Sequence, residues 1–494
     1  MNVRLENLML KHRNREPGQP VRLALELVEP GDLDSCQQPE RVTKQLPPGI
    51  TSRMLYQDII RIAWPAFMEF ILTQVVSMVD MMMVGQLGPW AIAAVGFTNQ
   101  PKFLLMTMFM AMNVGATALI ARYKGEGNQL KANTVLRQAL LLTFVLSAVS
   151  SIIGFVFAEP MVRFMGAADE QTLAGGTIYL KIQMVGFVVL ALTSTITAAL
   201  RGIGDSRTAM MYNLTANVVN VIFNYMLIYG HFGFPRMEVA GASIATVIGQ
   251  CVAFVLAILS VLKGNRYLSI SLKDDFRPKW DIMKSIFNIG MPAVVEQLVM
   301  RAGMIAYSIT VASLGTVAFA THNVCMNIQS MSFMNGQAFG VSATSLMGQS
   351  LGRRRPDMAQ AYSRYTRRMG MIVSLVLAAI FILFGEEIVK LYTDDKTVIK
   401  EGANILKFVA IMQPFQSSQL ILSGALRGAG DTRAIAWIIF ITVLLVRPGL
   451  AMFTIHVLKW GLIGAWIALM ADQFLRSLLV LLRFNSGKWK TIKI

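Results

Sequence analysis

The stretch that decides the fold is residues 62–88, IAWPAFMEFILTQVVSMVDMMMVGQLG. It is apolar, and it exceeds the roughly 20 residues that a helix needs to cross a bilayer. It nevertheless carries Glu69 and Asp80. An ionisable side chain inside a membrane costs on the order of several kcal/mol, so both residues are candidate functional groups.

The same stretch returns in the second half of the chain as GMPAVVEQLVMRAGMIAYSITVASLG at 290–315. Pro65 falls on Pro292 and Glu69 on Glu296, each 227 positions later. A second motif, LRGIGDSR from position 200, recurs as LRGAGDTR from position 426, at an offset of 226. These shared offsets indicate that one half of the chain is a duplicate of the other.

Composition indicates a membrane protein. The 494 residues are 54% hydrophobic and 15% charged, whereas soluble chains have about 25% charged residues. The net charge of +17 lies mostly in short loops between apolar segments, which the positive-inside rule explains without a nucleic-acid partner. Three widely spaced cysteines indicate neither a disulfide framework nor a zinc site.

Twelve long apolar segments without two-residue alternation predict an all-α polytopic membrane protein with twelve transmembrane helices. The segments are 60–84, 91–121, 133–157, 173–200, 209–229, 239–263, 285–311, 317–347, 367–385, 400–426, 433–456 and 461–483. Six helices per half is an even number, so both halves start on the same side of the membrane. The halves are therefore predicted to be parallel repeats related by a pseudo-two-fold axis along the membrane normal, with a substrate cleft between them.

Lysine and arginine concentrate in the connections at 122–137, 263–284 and 353–368, whereas the opposite connections are short or acidic. This asymmetry predicts a multi-pass protein of the cell (inner or plasma) membrane with both termini in the cytoplasm. The predicted domains are a disordered cytoplasmic tail 1–57, an N-lobe 58–263, a linker 264–284, a C-lobe 285–484 and a C-terminal tail 485–494. Met54 is an alternative start site.

The duplicated LRGxGD[ST]R motif, together with VDMMMVGQLG at 79–88, resembles the MATE (multidrug and toxin extrusion) transporters of the bacterial multidrug efflux type. The resemblance covers about residues 58–484. It implies a secondary antiporter, not an enzyme, that exports small organic cations in exchange for H⁺ or Na⁺. It also implies a monomer in the lipid bilayer without a cofactor.

Glu69, Thr73 and Asp80 are spaced i, i+4 and i+11, so they share one face of the first helix. The resemblance implies that Asp80 is the ion-coupling residue, and desolvation disfavours its charged form, which suits a proton carrier. The alternative is a structural carboxylate. Pro65 matches the family's first-helix hinge, although an inert membrane proline explains it equally well.

Four asparagines of the fifth segment form a second polar face. They are Asn213, Asn217, Asn220 and Asn224. Amides can join helices to each other, or they can bind Na⁺ or a carboxylate. The resemblance favours the second role for Asn220 and Asn224 and makes them, with Asp80, a candidate Na⁺ site.

The resemblance implies that Glu296 is the acidic residue of the second lobe. Gln416 occupies the position where one branch of the family carries a second carboxylate. Arg301 could neutralise a carboxylate across the cleft, with Glu69 as one option. Each lobe thus keeps one family-matched carboxylate, and we predict that protons are the main coupling ion, with Na⁺ as the alternative.

Two other features favour structural roles. Asp472 and Arg476 are four residues apart and are predicted to form an ion pair on the last helix. The two LRGxGD turns, with Arg201 and Asp205 in the first, are predicted to be helix caps that define the fold.

Two other functions stay open. A lipid-linked oligosaccharide flippase of the same two-lobe plan would line its cleft with basic residues; Lys102 and Arg301 fit this, but Asp80 does not. A channel or membrane enzyme has no supporting motif, and no P-loop indicates an ATP-driven pump.

Overall fold

A computed structural model describes residues 49–167, 169–262, 267–271 and 275–492. Within these ranges the chain forms twelve long helices, a short helix at Ala158–Phe164 and no β-strand, which confirms the predicted all-α fold. The long helices are α1 Ser52–Gly85, α2 Pro89–Gly125, α3 Gln129–Val156, α4 Glu170–Gly202, α5 Ser206–Tyr229, α6 Glu238–Leu262, α7 Trp280–Ala312, α8 Thr316–Gly352, α9 Pro356–Lys390, α10 Lys396–Gly428, α11 Thr432–Val457 and α12 Gly461–Asn485.

By length and composition, nine of these helices could cross a membrane, counted over the described residues. The other three, α5, α8 and α10, carry many polar side chains. Many of these side chains are buried within the protein, as Asn224 in α5, Asn335 in α8 and Gln413 in α10 show. A polar side chain in a membrane helix is stable when it faces protein rather than lipid, so the polar composition of these helices fits their internal position.

The start of α1 corrects the predicted tail boundary. The helix begins at Ser52, because the Thr51 hydroxyl caps it by accepting a hydrogen bond from the Met54 backbone amide at 3.4 Å. Leu55, one turn later, is fully buried. Residues 52–57 therefore belong to the N-lobe rather than to the tail, and residues 1–48 lie outside the described residues.

The other boundaries differ from prediction by a few residues. Helix α7 begins at Trp280, inside the predicted linker 264–284, of which residues 264–266 and 272–274 lie outside the described ranges. After α12, a turn of 3₁₀-helix spans Lys488–Thr491 and buries Trp489, whose ring stacks on Phe484. Part of the predicted C-terminal tail is thus packed against the C-lobe.

The N-lobe (α1–α6) and the C-lobe (α7–α12) meet where α8 packs on α1 and α2, and where α2 packs on α7. A Cβ atom on Gly125 would overlap the carbonyl oxygen of Gln349, and one on Gly352 would overlap that of Arg122. Both glycines and both carbonyls are repeat counterparts, 227 positions apart. The two contacts therefore obey the predicted pseudo-two-fold relation, with α2 crossing α8 at the axis.

These contacts lie at one end of the bundle, where α1 begins and where α2, α8 and α12 end; we call it the closed end. The Arg122 guanidinium donates to the Ile492 carbonyl oxygen at 3.1 Å. The segment after α12 thus reaches α2 of the other lobe, and both ends of the described chain lie at the closed end.

Candidate functional site

Three asparagine amides of α5 donate hydrogen bonds to three polar side chains of α1. The pairs are Asn213 with Glu69 at 2.7 Å, Asn217 with Thr73 at 3.1 Å and Asn224 with Asp80 at 2.5 Å. The partners are 144 positions apart in every pair. A constant separation means that the two helices run parallel, with their polar faces in register.

Asp80 is held by two amides of α5. Besides the Asn224 bond, the Asn220 amide, turned so that its nitrogen faces the carboxylate, donates to both oxygens of Asp80 at 3.1 Å. In that orientation the Asn220 oxygen accepts a hydrogen bond from the Thr246 backbone amide at 3.2 Å. The structure therefore brings together Asp80, Asn220 and Asn224, with α6 fixing the amide that orients the carboxylate.

A cavity of about 450 Å³ lies inside the N-lobe between α1, α2, α4, α5 and α6; we call it the N-lobe cavity. Asp80 and Glu69 both line it, as do Thr73 and Ser77, which lie between them on α1. The charged groups in its wall are these two carboxylates and the Arg201 guanidinium. With both carboxylates ionised, the wall carries a net charge of −1, which suits a cationic occupant.

Glu69 forms an ion pair with Arg201 of α4 at 2.8 Å. The same carboxylate oxygen accepts the Asn213 bond, whereas the second oxygen is buried without a hydrogen bond among the described residues. The prediction for the LRGxGD turn holds for Asp205, which caps α5 through the Thr208 amide. The sequence analysis did not predict that Arg201 pairs with Glu69. The recurrence of both residues in the second repeat, as Arg427 and Glu296, could have indicated this pair.

Arg301 does not reach Glu69. Its guanidinium lies 3.6 Å from the centroid of the Phe103 ring, across the contact between α7 and α2. The described residues contain no ion pair of Arg301. A cation on an aromatic face contributes about 0.5–2 kcal/mol, so Arg301 joins the lobes through Phe103 rather than through a carboxylate.

Glu296 and Gln416 lie in the other lobe, apart from the Asp80 site. Glu296 is 3% exposed and forms an ion pair with Arg427, as its repeat counterpart Glu69 does with Arg201. Gln416 is buried in α10, and its side-chain oxygen has no hydrogen bond within the described part of the chain. The two residues are thus not joined by a hydrogen bond.

The predicted pair of Asp472 and Arg476 is confirmed. Sequence reasoning missed the third member, Arg447 of α11, which donates to the same carboxylate oxygen at 2.5 and 3.0 Å. All three side chains are at most 5% exposed. One carboxylate between two arginines thus forms a buried charge cluster in the C-lobe, apart from the N-lobe cavity.

The orientation of the Asn220 and Asn224 amides determines which cation could bind at Asp80. With Asn220 turned so that its nitrogen faces Asp80, both amides direct N–H groups at the carboxylate, and the Asn224 oxygen is buried without a partner among the described residues. In the opposite orientation the Asn220 oxygen faces Asp80, as a Na⁺ ligand would, so this donor set is compatible with either a proton or Na⁺. No cluster of three His, Cys, Asp or Glu side chains occurs in the described ranges.

The predicted hinge residue, Pro65, lies inside α1, which continues through it as one helix from Ser52 to Gly85. Its ring removes one backbone hydrogen bond. The hinge role stays a prediction.

Proteins with similar sequences align with most of this chain. A probable multidrug resistance protein NorM of Thermotoga maritima is 28% identical over 438 residues, covering 88% of this chain and 93% of that protein. Multidrug resistance protein PmpM of Pseudomonas aeruginosa is 28% identical over 393 residues, covering 78% and 81%.

Solved structures share the fold. A MOP superfamily transporter from Pyrococcus furiosus, described as having a binding pocket of reverse polarity, matches with a TM-score of 0.82 at 22% identity, covering 91% of this chain and all of that one. An outward-facing multidrug resistance MATE family transporter gives 0.82 at 21% identity with the same coverage. The family model described as MatE matches residues 65–226 and 292–453, one range in each lobe. Since the two ranges together span more than half of the sequence, the chain belongs to the MatE family of transporters.

Proposed function

We propose that the protein is a secondary active antiporter that exports organic cations in exchange for an inward-moving ion. The observation that carries this proposal is the N-lobe cavity, whose wall is net negative and whose Asp80 is oriented by Asn220 and Asn224. Its volume of about 450 Å³ falls within the range of ligand pockets, about 300–1,000 Å³. The multidrug resistance names of the relatives support the substrate class.

The exchange follows from competition for one negative charge. An ion on Asp80 neutralises the carboxylate, and a drug cation is then bound less strongly in the cavity. Conversely, a bound drug disfavours ion loading. A ligand shifts two conformations only by its differential affinity for them, so Asp80 must face opposite sides of the membrane in the two states.

The proposed coupling ion is the proton. Asp80 has no ion-pair partner among the described residues, whereas Glu69 and Glu296 each form an ion pair with an arginine, so the ion loads first on Asp80. A protonated carboxyl group still accepts hydrogen bonds from amide N–H groups through its carbonyl oxygen, so a proton can bind while these amides stay in place. Na⁺, the alternative, would require the oxygens of Asn220 and Asn224 to replace those N–H groups.

The proposed orientation places the closed end in the cytoplasm of a cell-membrane protein. Basic residues lie in the connections at that end, including Arg353 and Arg354 after α8 and Lys124 near the end of α2. Basic residues stay on the cytoplasmic side during insertion. In this orientation the structure is the state in which the cytoplasmic end is shut. The proposed working unit is one chain.

A flippase for anionic lipid-linked headgroups is less well supported. Of the two basic residues that fitted it, Lys102 donates to the Gln183 side chain at 2.6 Å, and Arg301 lies on Phe103. The N-lobe cavity would repel an anionic headgroup, because its wall is net negative.

The test is ethidium efflux from proteoliposomes. We expect efflux to follow an imposed proton gradient and to fall to background when Asp80 is changed to Asn. The second arm applies an inward Na⁺ gradient at fixed pH, with the proton gradient collapsed by an ionophore. Strong efflux in that arm would show that Na⁺ is the coupling ion, and efflux without either gradient would overturn antiport.

A further inference from the structure

The ion pair of the N-lobe cavity is adjacent in sequence to a contact between the lobes. Arg201, the partner of Glu69, is followed by Gly202 at the C-terminal end of α4. The Gly202 carbonyl oxygen accepts hydrogen bonds from the Ser345 hydroxyl at 2.9 Å and from the Gln349 amide at 3.2 Å. Both donors belong to α8 of the C-lobe and are buried. The cavity wall and the closed end thus meet at two consecutive residues of α4.

Among the described residues, the duplicated half lacks counterparts of these two hydrogen bonds. Glu296 and Arg427 form the equivalent ion pair, and Gly428 follows. At the repeat offset of 227, the positions of the two α8 donors are occupied in α2 by Ala118, which has no side-chain donor, and by Arg122. Arg122 donates instead to a carbonyl beyond α12. Both lobes therefore contain the Glu–Arg ion pair. The hydrogen bonds that join the residue after the arginine to the opposite lobe are found at Gly202 of the N-lobe.

We propose that Glu69 and Arg201 couple ion occupancy of the N-lobe cavity to the closed end. This inference rests on the antiport proposed above. An ion that reaches Glu69 neutralises its charge and removes the electrostatic partner of Arg201. The end of α4 then loses its anchor to α1, the hydrogen bonds from α8 to Gly202 weaken, and the lobes separate at the closed end. Both residues act by positioning α4.

The cavity provides a route for the ion. Asp80, Ser77, Thr73 and Glu69 follow one another along the face of α1 that lines it. Eleven residues of helix span about 16 Å, and polar groups bridge that distance. At its inner end, the second oxygen of Glu69 is a buried acceptor without a partner among the described residues, on a side chain that is 7% exposed. That oxygen is where the ion would bind.

The charged and titratable neighbours of Glu69 are few. Arg201 of α4 is in direct contact with it. Tyr212 of α5 and Asp205 in the turn before α5 belong to the same electrostatic cluster, and Asp80 lies farther along α1. Because Arg201 is the cation of this group, loss of charge on Glu69 leaves one unpaired positive charge beside Phe70. That imbalance is what moves the end of α4.

The experiment measures the separation of the lobes at the closed end. Arg207 and Arg433 are exposed repeat counterparts, one in each lobe, at the starts of α5 and α11. Both would carry spin labels on cysteine, in a chain whose three native cysteines are serine. In the unsubstituted background, lowering the pH or adding Na⁺ should increase the long-distance population. Glu69→Gln should hold that population high at neutral pH and abolish the ion response.

Glu296→Gln is the matched control, since it removes the same type of ion pair from the other lobe. It should lower thermal stability as Glu69→Gln does, yet keep the ion-dependent change in distance. If Glu69→Gln fails to fold, Ser345→Ala with Gln349→Leu tests the link from the other side. That variant should raise the long-distance population without added ion.

Three results would overturn the inference: an ion response that survives Glu69→Gln, an equal loss in Glu296→Gln, or no response before any of these substitutions. An unchanged distance in the α8 double variant would count against it as well. Wild-type efflux by Asp80→Asn would instead overturn the proposed ion site, so the two failures are distinguishable.

Discussion

The two lobes share a frame and an ion pair, but they differ in what joins their first and fifth helices. In the N-lobe, polar side chains of α1 and α5 hydrogen-bond to each other and line a cavity. At the repeat offsets, Thr73 and Asp80 of α1 are replaced in α7 by Met300 and Tyr307. The asparagine face of α5 is replaced in α11 by Ile439, Val443, Val446 and Leu450.

Close packing accompanies this change. A Cβ atom on Gly303 of α7 would lie 2.5 Å from the Val443 carbonyl oxygen, so α7 and α11 are in backbone contact. Helix α11 also contains two π-helical stretches, Phe440–Val446 and Phe453–Val457, with Pro448 between them. Both repeats thus keep the positions of the helices and of the Glu–Arg pair, whereas the facing polar side chains of the first and fifth helices occur in the N-lobe and are replaced at their C-lobe counterparts.

The largest expected effect is on folding of the C-lobe. Asp472→Ala leaves Arg447 and Arg476 buried without their shared carboxylate. Breaking a buried ion pair by removing one partner costs about 3–5 kcal/mol. We expect little folded protein in detergent, measured by size-exclusion profile and melting temperature. A normal melting temperature would mean that these charges are hydrated rather than buried.

The second effect is on transport. Asp80→Asn should reduce gradient-driven efflux to background while the melting temperature stays close to that of the unchanged protein. The matched variant is Tyr307→Phe at the counterpart position, which removes the hydrogen bond to the Ala465 carbonyl at a cost of about 1 kcal/mol and should leave efflux intact. An equal loss of efflux in both variants would contradict the prediction that transport depends on Asp80 but not on its C-lobe counterpart Tyr307.

The third prediction concerns a place where the lobes are alike. Gly125→Ala and Gly352→Ala each introduce a Cβ against a backbone carbonyl of the opposite helix. Overpacking of this kind costs about 1–3 kcal/mol. Both variants should weaken the closed end equally, seen as similar gains in the long distance between labels at Arg207 and Arg433. Unequal gains would show that the two glycine contacts of α2 and α8 do not contribute equally to the stability of the closed end.

The smallest effect is expected for Asn217→Ala. Its amide donates to Thr73 at 3.1 Å, between the Glu69 and Asp80 ends of the cavity. A hydrogen bond between membrane helices contributes about 0.6 kcal/mol. We expect efflux to fall by less than about three-fold, with the pH profile unchanged. A complete loss would mean that this amide binds the ion directly.

Much of the fold could be predicted because the signals are local and repeated. Apolar length gives the spans, the offsets of 227 and 226 give the symmetry, and helical periodicity places Glu69 and Asp80 on one face. Asn220 and Asn224 were matched to Asp80 by resemblance, and the structure brings all three together.

What could not be predicted is which faces meet. Periodicity defines a face but not the neighbouring helix, so Arg301 had no assignable partner and Arg201 was read as a cap. The start of α1 was missed because a proline-rich sequence precedes it, while a single side chain, Thr51, caps the helix. Arg447 is distant in sequence from Asp472, and helical spacing cannot reveal a contact between helices.

The net charge of the N-lobe cavity also determines the electrical behaviour of the exchange. One proton and one monovalent drug cation would replace each other at a single negative charge, so a full cycle would move no net charge. The membrane voltage, about 2.3 kcal/mol per charge per 100 mV, would then do no work, and the pH difference alone would drive export. We expect ethidium exchange to generate no steady current on a supported membrane, whereas a divalent drug should generate one.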